Sequence, residues 1–427
     1  MAELISAKSM SKSQLLEVKL ASLLEVTKAI NSNAKTPELL KIYESVLKEQ
    51  LNVGKLVLYA NDGGWNCVLK FGMEAAFTPA EVERYLTPIK DITLMDFNPS
   101  GELVPIKKAF KQHNVEVVIP VFHKDLPLAY ALIGDLDEEQ IGMGASVKHL
   151  NFIQTLTNIL VVAIENKRLA KEHIRQAEMK KEMEVASQMQ HMLFPANLPH
   201  DAQLEMDALY IAHQEIGGDY YDYIRINEQE MAICIADVSG KGVSAALLMS
   251  NFQANMHILL SRTESLTELV RELNNKVNET AKGERFITLF VARYNIATRI
   301  FTYINAGHNP PLVLGNDGSM SMLKTGCTGL GMLEELKKVK EGVISVEPGT
   351  VILCYTDGVV EQENEAGEEF GVKRLKEILH DKGRTSSDGT PPFKIKDINN
   401  LIIESVKEHK GAKDYVDDIA LLALRVF

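Results

Sequence analysis

Four short runs in the second half of the chain set a carboxylate beside glycine, or beside another carboxylate, at one end of an apolar stretch. They are Gly217-Gly-Asp-Tyr-Tyr-Asp222, Ile233-Cys-Ile-Ala-Asp-Val-Ser-Gly-Lys-Gly242, Ile352-Leu-Cys-Tyr-Thr-Asp-Gly-Val359 and Tyr415-Val-Asp-Asp-Ile-Ala-Leu-Leu-Ala-Leu424. A carboxylate at a strand end can emerge from a packed core into a cleft while its backbone stays rigid. Neighbouring glycines let main-chain groups come close to a ligand. Several carboxylates gathered in one cleft repel one another and need cations or protons to coexist. Oxygen donors without His or Cys at matching positions suit hard divalent ions, Mg²⁺ or Mn²⁺. Two such ions about 3.5–4 Å apart activate a water and stabilise charge that develops at phosphorus. An Asp-Gly pair alone reads as a turn. The joint occurrence of four such runs points to a carboxylate-only binuclear site for phosphoryl hydrolysis.

These runs must be held by strands. Apolar strand-like stretches are expected at Leu204–Ile211, Tyr220–Ile226, Met231–Ala236, Phe286–Tyr294, Ile300–Ile304, Pro311–Leu314, Val351–Tyr355 and Asp418–Val426. The run Met231–Ala236 is expected to end just before Asp237, and Thr356-Asp357-Gly358 to form a turn. Two helices, Val243–Leu260 and Leu266–Ala281, fall between strands. Strands in runs with helices in pairs predict α+β layers rather than strict βαβ alternation.

Upstream, residues from about 13 to 50 carry helical periodicity, with Thr36 as an N-cap before Pro37. A hairpin is expected across Asn61-Asp-Gly-Gly64, and two further strands, Val115–Val121 and Leu126–Ile133, flank His123-Lys-Asp125. From about 148 to 193 the apolar residues keep three- and four-residue steps through the charged stretch Glu165–Glu184, with neither Pro nor Gly, and Pro195 ends the pattern. A helix of that length is expected to project and to pair with a second copy as a coiled coil; the other reading is a single solvated helix. Residues 382–395 read as a surface loop.

The chain of 427 residues exceeds one hydrophobic core, and its 46 basic and 58 acidic residues leave a net charge of −12. That balance argues against a nucleic-acid surface. The N-terminal residues have no apolar signal-peptide core, and the run Ile159–Ile164 is too short to span a bilayer. Cys67, Cys234, Cys327 and Cys354 form no paired motif, so neither a zinc site nor a disulfide framework is signalled. The cytoplasm is the expected compartment.

The acidic runs, with Phe286-Ile-Thr-Leu-Phe290, Asn305-Ala-Gly-His-Asn-Pro-Pro311 and the junction Gln188-Met-Gln-His-Met-Leu-Phe-Pro-Ala-Asn-Leu-Pro199, closely resemble the SpoIIE/RsbU-like branch of the metal-dependent (PPM-type) protein serine/threonine phosphatases. The resemblance covers about residues 184–427. It implies an α-β-β-α sandwich with two Mn²⁺ or Mg²⁺ ions and a bridging hydroxide at one edge. It further implies Asp219, Asp237 and Asp357 as catalytic metal ligands, the Val238 carbonyl as a donor, and one of Asp417 and Asp418, by motif Asp417, as the remaining ligand. Asp222 is expected to bond a metal-held water or to fix its turn. Lys241 reads as a phosphate contact or a solvated lysine, and His308 as a proton donor to the leaving serine or a structural residue. The helix pair 243–281 is a candidate regulatory element beside the cleft.

Residues 13–165 look like a GAF sensory domain, with a PAS domain as the competing reading. The expected organisation is therefore α+β: a GAF-like α/β domain (13–165), a helical coiled-coil connector (166–194) and a phosphatase sandwich (195–427). The expected partners are a phosphorylated protein, in this family often a STAS-domain anti-sigma-factor antagonist, a second copy through the connector, and a small-molecule or protein ligand of the sensory domain. A catalytically silent phosphoprotein-binding scaffold is the alternative.

Overall fold

Alternating burial along the first strands decides the N-terminal architecture. The computed structural model describes residues 12–51, 53–74, 77–95, 110–111, 113–134, 143–384 and 393–427. The extreme N-terminus and most of the loop expected at 382–395 thus lie outside the described residues. The chain divides into two compact units, the first ending at Gln176 and the second running from Ala177 to Phe427.

In the first unit, helices α1 (Lys12–Asn31) and α2 (Thr36–Ser45) precede β1 (Lys55–Asn61) and β2 (Trp65–Phe71). Lys35, not Thr36, occupies the N-cap, since Thr36 and Pro37 already have helical geometry. Then come α3 (Pro79–Leu86), β3 (Thr93–Leu94), β4 (Val117–His123) and β5 (Leu126–Gly134). The sheet is antiparallel in the order β2-β1-β5-β4-β3. The β1–β2 hairpin turns through Gly63 at φ +67°, a conformation that favours glycine. Side chains alternate between faces. Leu56, Leu58, Ile119, Ala131 and Ile133 pack with Val26, Leu39 and Tyr43 of α1 and α2. Val57, Tyr59, Val118, Tyr130 and Leu132 point the other way, onto Trp65, Phe77, Val82 and Phe110.

The helix α4 runs from Met143 to His191, 49 residues. Leu150, Ile153, Leu156 and Leu160 of its first half are buried in the first unit's core. Farther on, Leu169, Ile174, Met179, Val185 and Met189 are exposed.

The second unit contains β6 (Leu204–Ile211), β7 (Tyr220–Arg225), β8 (Glu230–Val238), α5 (Val243–Leu260), α6 (Leu266–Ala281), β9 (Ile287–Asn295) and β10 (Ile300–Ala306). The short strands β11 (Leu312–Leu314), β12 (Met320–Met322), β13 (Gly326–Cys327) and β14 (Gly342–Ser345) follow. The chain closes with β15 (Val351–Tyr355), the one-turn helix α7 (Asp357–Val360), α8 (Gly371–Gly383), α9 (Ile395–Lys410) and β16 (Ile419–Val426). One sheet has the order β13-β10-β9-β8-β7, with β14 also on β10; the other is β12-β11-β15-β16-β6. Ile233, Ile235, Leu289, Val291, Ile352, Cys354, Leu422 and Leu424 belong to one shared core, which also takes in Met249, Phe252, Leu269 and Leu273 of α5 and α6. On the far side, Leu353, Leu421 and Ala423 pack under Leu375, Leu379, Ile398 and Ile402 of α8 and α9. Each sheet is thus buried on both faces, which is why β16 is apolar along nearly its whole length.

Two details differ from the expectation. Strand β8 continues through Asp237 to Val238, because Asp237 still pairs with Thr288 of β9. Asp357 opens a helical turn rather than a free loop. A Cβ on Gly358 would lie 2.0 Å from the Asp418 carbonyl oxygen, so glycine there lets α7 rest directly on the entry to β16.

Candidate metal centre

Strand ends from both sheets meet where β7, β8, β15 and β16 begin or finish. Asp219 precedes β7 and is 2% exposed. The Thr356 hydroxyl, just past the end of β15, lies beside its carboxylate and opposes the rise in its pKa. Thr356 is itself fixed, accepting the Ala420 N–H at 2.8 Å. The Asp237 carboxylate is the neighbour of Asp219 and repels its ionised form. With both groups ionised, Asp219 Oδ2 is a buried oxygen without a hydrogen-bond partner. Burial first, and then Asp237, hold Asp219 far above the ordinary carboxylate range. Burial, followed by repulsion from Asp357, Asp417 and Asp418, pushes Asp237 up to about 7. Asp357 is raised by burial and by Asp417. The four sequence runs therefore converge on one electrostatic site.

Asp417 and Asp418 have different surroundings. Asp418 accepts the His213 N–H at 2.8 Å through Oδ1 and the Gly218 N–H at 2.6 Å through Oδ2, and it is 7% exposed. Asp417 is open to the cleft, its Oδ2 3.0 Å from Lys241 Nζ. Lys241 also donates to the Val416 carbonyl at 2.7 Å, so it is tied to the acidic cluster rather than free in solvent.

The residues fit a hard divalent ion. Asp219 Oδ2 is an unpartnered acceptor inside a cluster of like charge. A Cβ on Gly218 would come within 2.9 Å of the Val238 carbonyl oxygen, so glycine leaves that carbonyl approachable. Among the described residues no three His, Cys, Asp or Glu side chains are gathered tightly enough to hold an ion alone. A carboxylate pair with a main-chain carbonyl and water is the donor set that such an ion accepts.

Asp222 is turned away from this cluster into the fold. Its carboxylate takes the Tyr220 hydroxyl, the Tyr223 N–H at 2.7 Å and His257 Nε2 of α5. The sequence had offered no role for His257, nor for Arg285. The Arg285 guanidinium spans the Ser239 carbonyl and the Ser244 hydroxyl, bracing the turn between β8 and α5.

His308 is 5% exposed, with Nδ1 2.8 Å from the Thr288 hydroxyl, and Thr288 is the cross-strand neighbour of Asp237. Burial lowers its pKa from 6.5 to about 4, against a weaker opposing pull from the Tyr355 carbonyl. At neutral pH it is uncharged. The folded state resists protonating it, so its stabilising contribution is complete above pH 6.5 and is lost as pH falls towards 4. The full shift corresponds to about 3 kcal/mol. In urea melts from pH 7 to 4.5, a His308→Asn variant is expected to lose much of the acid-side decline seen in the parent chain. An unchanged slope would remove His308 as its source.

Comparison with known proteins places this geometry. The SiaA-PP2C domain of Pseudomonas aeruginosa superposes with a TM-score of 0.52 at 19% identity, covering 59% of this chain and 99% of that one. The second unit thus has the fold of the PP2C-like phosphatases. Residues 227–427 match the family of Stage II sporulation protein E (SpoIIE). Phosphoserine phosphatase RsbU of Bacillus subtilis is 32% identical over 193 residues, 45% of this chain and 57% of that protein. Phosphoserine phosphatase RsbP of Bacillus subtilis is 28% identical over 251 residues, 58% of each chain. Protein IcfG of Synechocystis sp. is 26% identical over 320 residues, 68% of this chain and 48% of that protein. The chain spans about half the length of the curated relatives it matches. Its C-terminal half is thus similar in sequence to the SpoIIE family and to the RsbU and RsbP phosphatases. Among the described residues no helix is long and apolar enough to cross a membrane.

Proposed function

We propose that this chain is a metal-dependent protein phosphatase that hydrolyses phosphoserine or phosphothreonine, with Asp219, Asp237, Asp357 and Asp417 as the side chains that hold its ions and the Val238 carbonyl as a main-chain donor. One observation carries the reading: carboxylates from four separate runs, Asp219, Asp237, Asp357 and the Asp417-Asp418 pair, repel one another in one largely buried cleft. Bound Mn²⁺ or Mg²⁺, two ions by family resemblance, supplies the positive charge that activates water and stabilises the phosphoryl transition state. The protein's part is to fix the carboxylates. The Asp418-held Gly218 leads into Asp219, the Thr288 pairing fixes Asp237, and α7 carries Asp357 against the entry to β16. Lys241 balances Asp417 at the open side, where a phosphate would arrive. Asp418 is a positioning residue, its carboxylate clamped on two main-chain amides.

In this reading residues 13–165 are a GAF-like sensory domain and residues 166–194 a connector that pairs with a second copy. The exposed apolar residues along α4 support that pairing. The helices α5 and α6 are the element whose position transmits the signal, since α5 begins a short turn after Asp237. The substrate class is a phosphorylated signalling protein, with a STAS-type anti-sigma-factor antagonist as the candidate from family resemblance.

The test is hydrolysis of p-nitrophenyl phosphate and of a phosphoserine peptide by the full chain. Activity is expected with Mn²⁺ or Mg²⁺, with loss on chelation and recovery when the ion is returned. A folded chain inert with every divalent ion, but retaining the phosphopeptide, would identify a silent binding scaffold instead.

A further inference from the structure

The last turn of α4 reaches the metal centre through one side chain. Gln190 is 6% exposed. Its Nε2 donates to the Gly217 carbonyl at 2.7 Å, and its Oε1 accepts the Gly217 N–H at 3.3 Å. A single amide thus satisfies both main-chain groups of one residue, as a strand neighbour would. Gly217 has no room for a side chain. A Cβ there would lie 1.9 Å from the Tyr210 hydroxyl and 2.3 Å from Asp418 Oδ2. The next residue, Gly218, gives its N–H to Asp418, and the residue after it is Asp219. The two glycines that lead into Asp219 are therefore each held by a different partner, Gln190 and Asp418. The turn that carries Gln190 is anchored in the same unit, because Phe194 stacks on Tyr221 with ring centroids 4.8 Å apart.

We propose that Gln190 is a positioning residue for Asp219, so that the end of the long helix sets how tightly the carboxylate cluster holds its ion. The inference rests on the functional reading above. Groups that orient metal ligands from behind typically change metal affinity by 10–100-fold when removed. The Gln190 amide does this through the backbone, by fixing the peptide from which Asp219 is hung. A residue that merely filled space would affect melting and leave ion affinity alone.

The experiment uses the full chain, calorimetric titration with Mn²⁺, and the Mn²⁺ dependence of p-nitrophenyl phosphate hydrolysis. Gln190→Met keeps the buried stem and removes both hydrogen bonds. Its Mn²⁺ dissociation constant is expected to rise by about tenfold. The Mn²⁺ concentration for half-maximal rate should rise in parallel, with KM for p-nitrophenyl phosphate at saturating Mn²⁺ unchanged. Gln190→Glu keeps the acceptor for the Gly217 N–H but sets a carboxylate against the Gly217 carbonyl, and should weaken Mn²⁺ binding likewise; it serves if the methionine variant does not fold. A folded variant that binds Mn²⁺ as tightly as the parent overturns the inference and leaves the functional reading intact. A parent chain that binds no Mn²⁺ overturns both.

Discussion

Asp237→Asn is expected to reduce Mn²⁺-dependent phosphatase activity on the order of a thousandfold and at the same time to make the metal-free protein more stable. Both effects come from one cause. Asp237 is held up to about 7 because it is buried beside other carboxylates. A raised carboxylate pKa means that the folded state binds the proton more tightly than the unfolded chain does. Its contribution to stability is complete below pH 3.8 and is lost as pH rises through about 7. In chelator at pH 8 the parent chain therefore carries unrelieved repulsion at this site, and asparagine removes it. Thermal melts in chelator should show the variant above the parent at pH 8, with the gap narrowing towards pH 5. Added Mn²⁺ should raise the parent's melting temperature and leave the variant's nearly unchanged. A variant less stable than the parent at pH 8 without metal would show that Asp237 is held by favourable partners instead of being strained.

The second large effect separates two adjacent and chemically identical residues. Asp418→Asn should cost stability, about 2–4 kcal/mol, because a carboxylate accepting two main-chain N–H groups is replaced by an amide that can accept only through one oxygen. One of the His213 and Gly218 amides would then face another donor in a buried site. Asp417→Asn should alter the urea midpoint very little, since its ion pair with Lys241 is partly exposed, with side chains 40% and 41% accessible. Its effect should fall on activity and Mn²⁺ affinity. Urea melts beside Mn²⁺ titrations of both variants decide the matter. If Asp417→Asn unfolded the protein while Asp418→Asn merely lost metal, the roles assigned to the pair would be reversed.

The four acidic runs were legible because each combines an apolar strand with a carboxylate at its edge, a pattern that composition at one place can carry. Their convergence also follows from the sandwich, since β7, β8, β15 and β16 bring their ends together. The choice between Asp417 and Asp418 was not legible in the same way. Both are Asp and both precede β16; the family motif favours Asp417, and it is the tertiary approach of the Gly217-Gly218 backbone that gives Asp418 its separate surroundings. Asp237 inside β8 escaped for a related reason: a carboxylate in a strand looks like an end, and the Thr288 partner that continues the ladder lies 51 positions away. The helices α8 and α9 were overlooked although their apolar spacing, Leu375 with Leu379 and Ile395, Ile398, Ile402 with Val406, carries the helical period. Gln190 stood within a motif already singled out, yet its residue type does not announce a metal site. Its role arises from what it touches, a glycine backbone.

The central claim is that Asp219, Asp237, Asp357 and Asp417 share divalent ions in one cleft. Anomalous diffraction from crystals of the full chain grown with Mn²⁺ tests it most directly. The account predicts manganese peaks between Asp219 and Asp237, with Asp357, Asp417 and the Val238 carbonyl completing the shells and Asp418 still bound to the His213 and Gly218 amides. Ordered protein in ample Mn²⁺ with no peak at these carboxylates would contradict it.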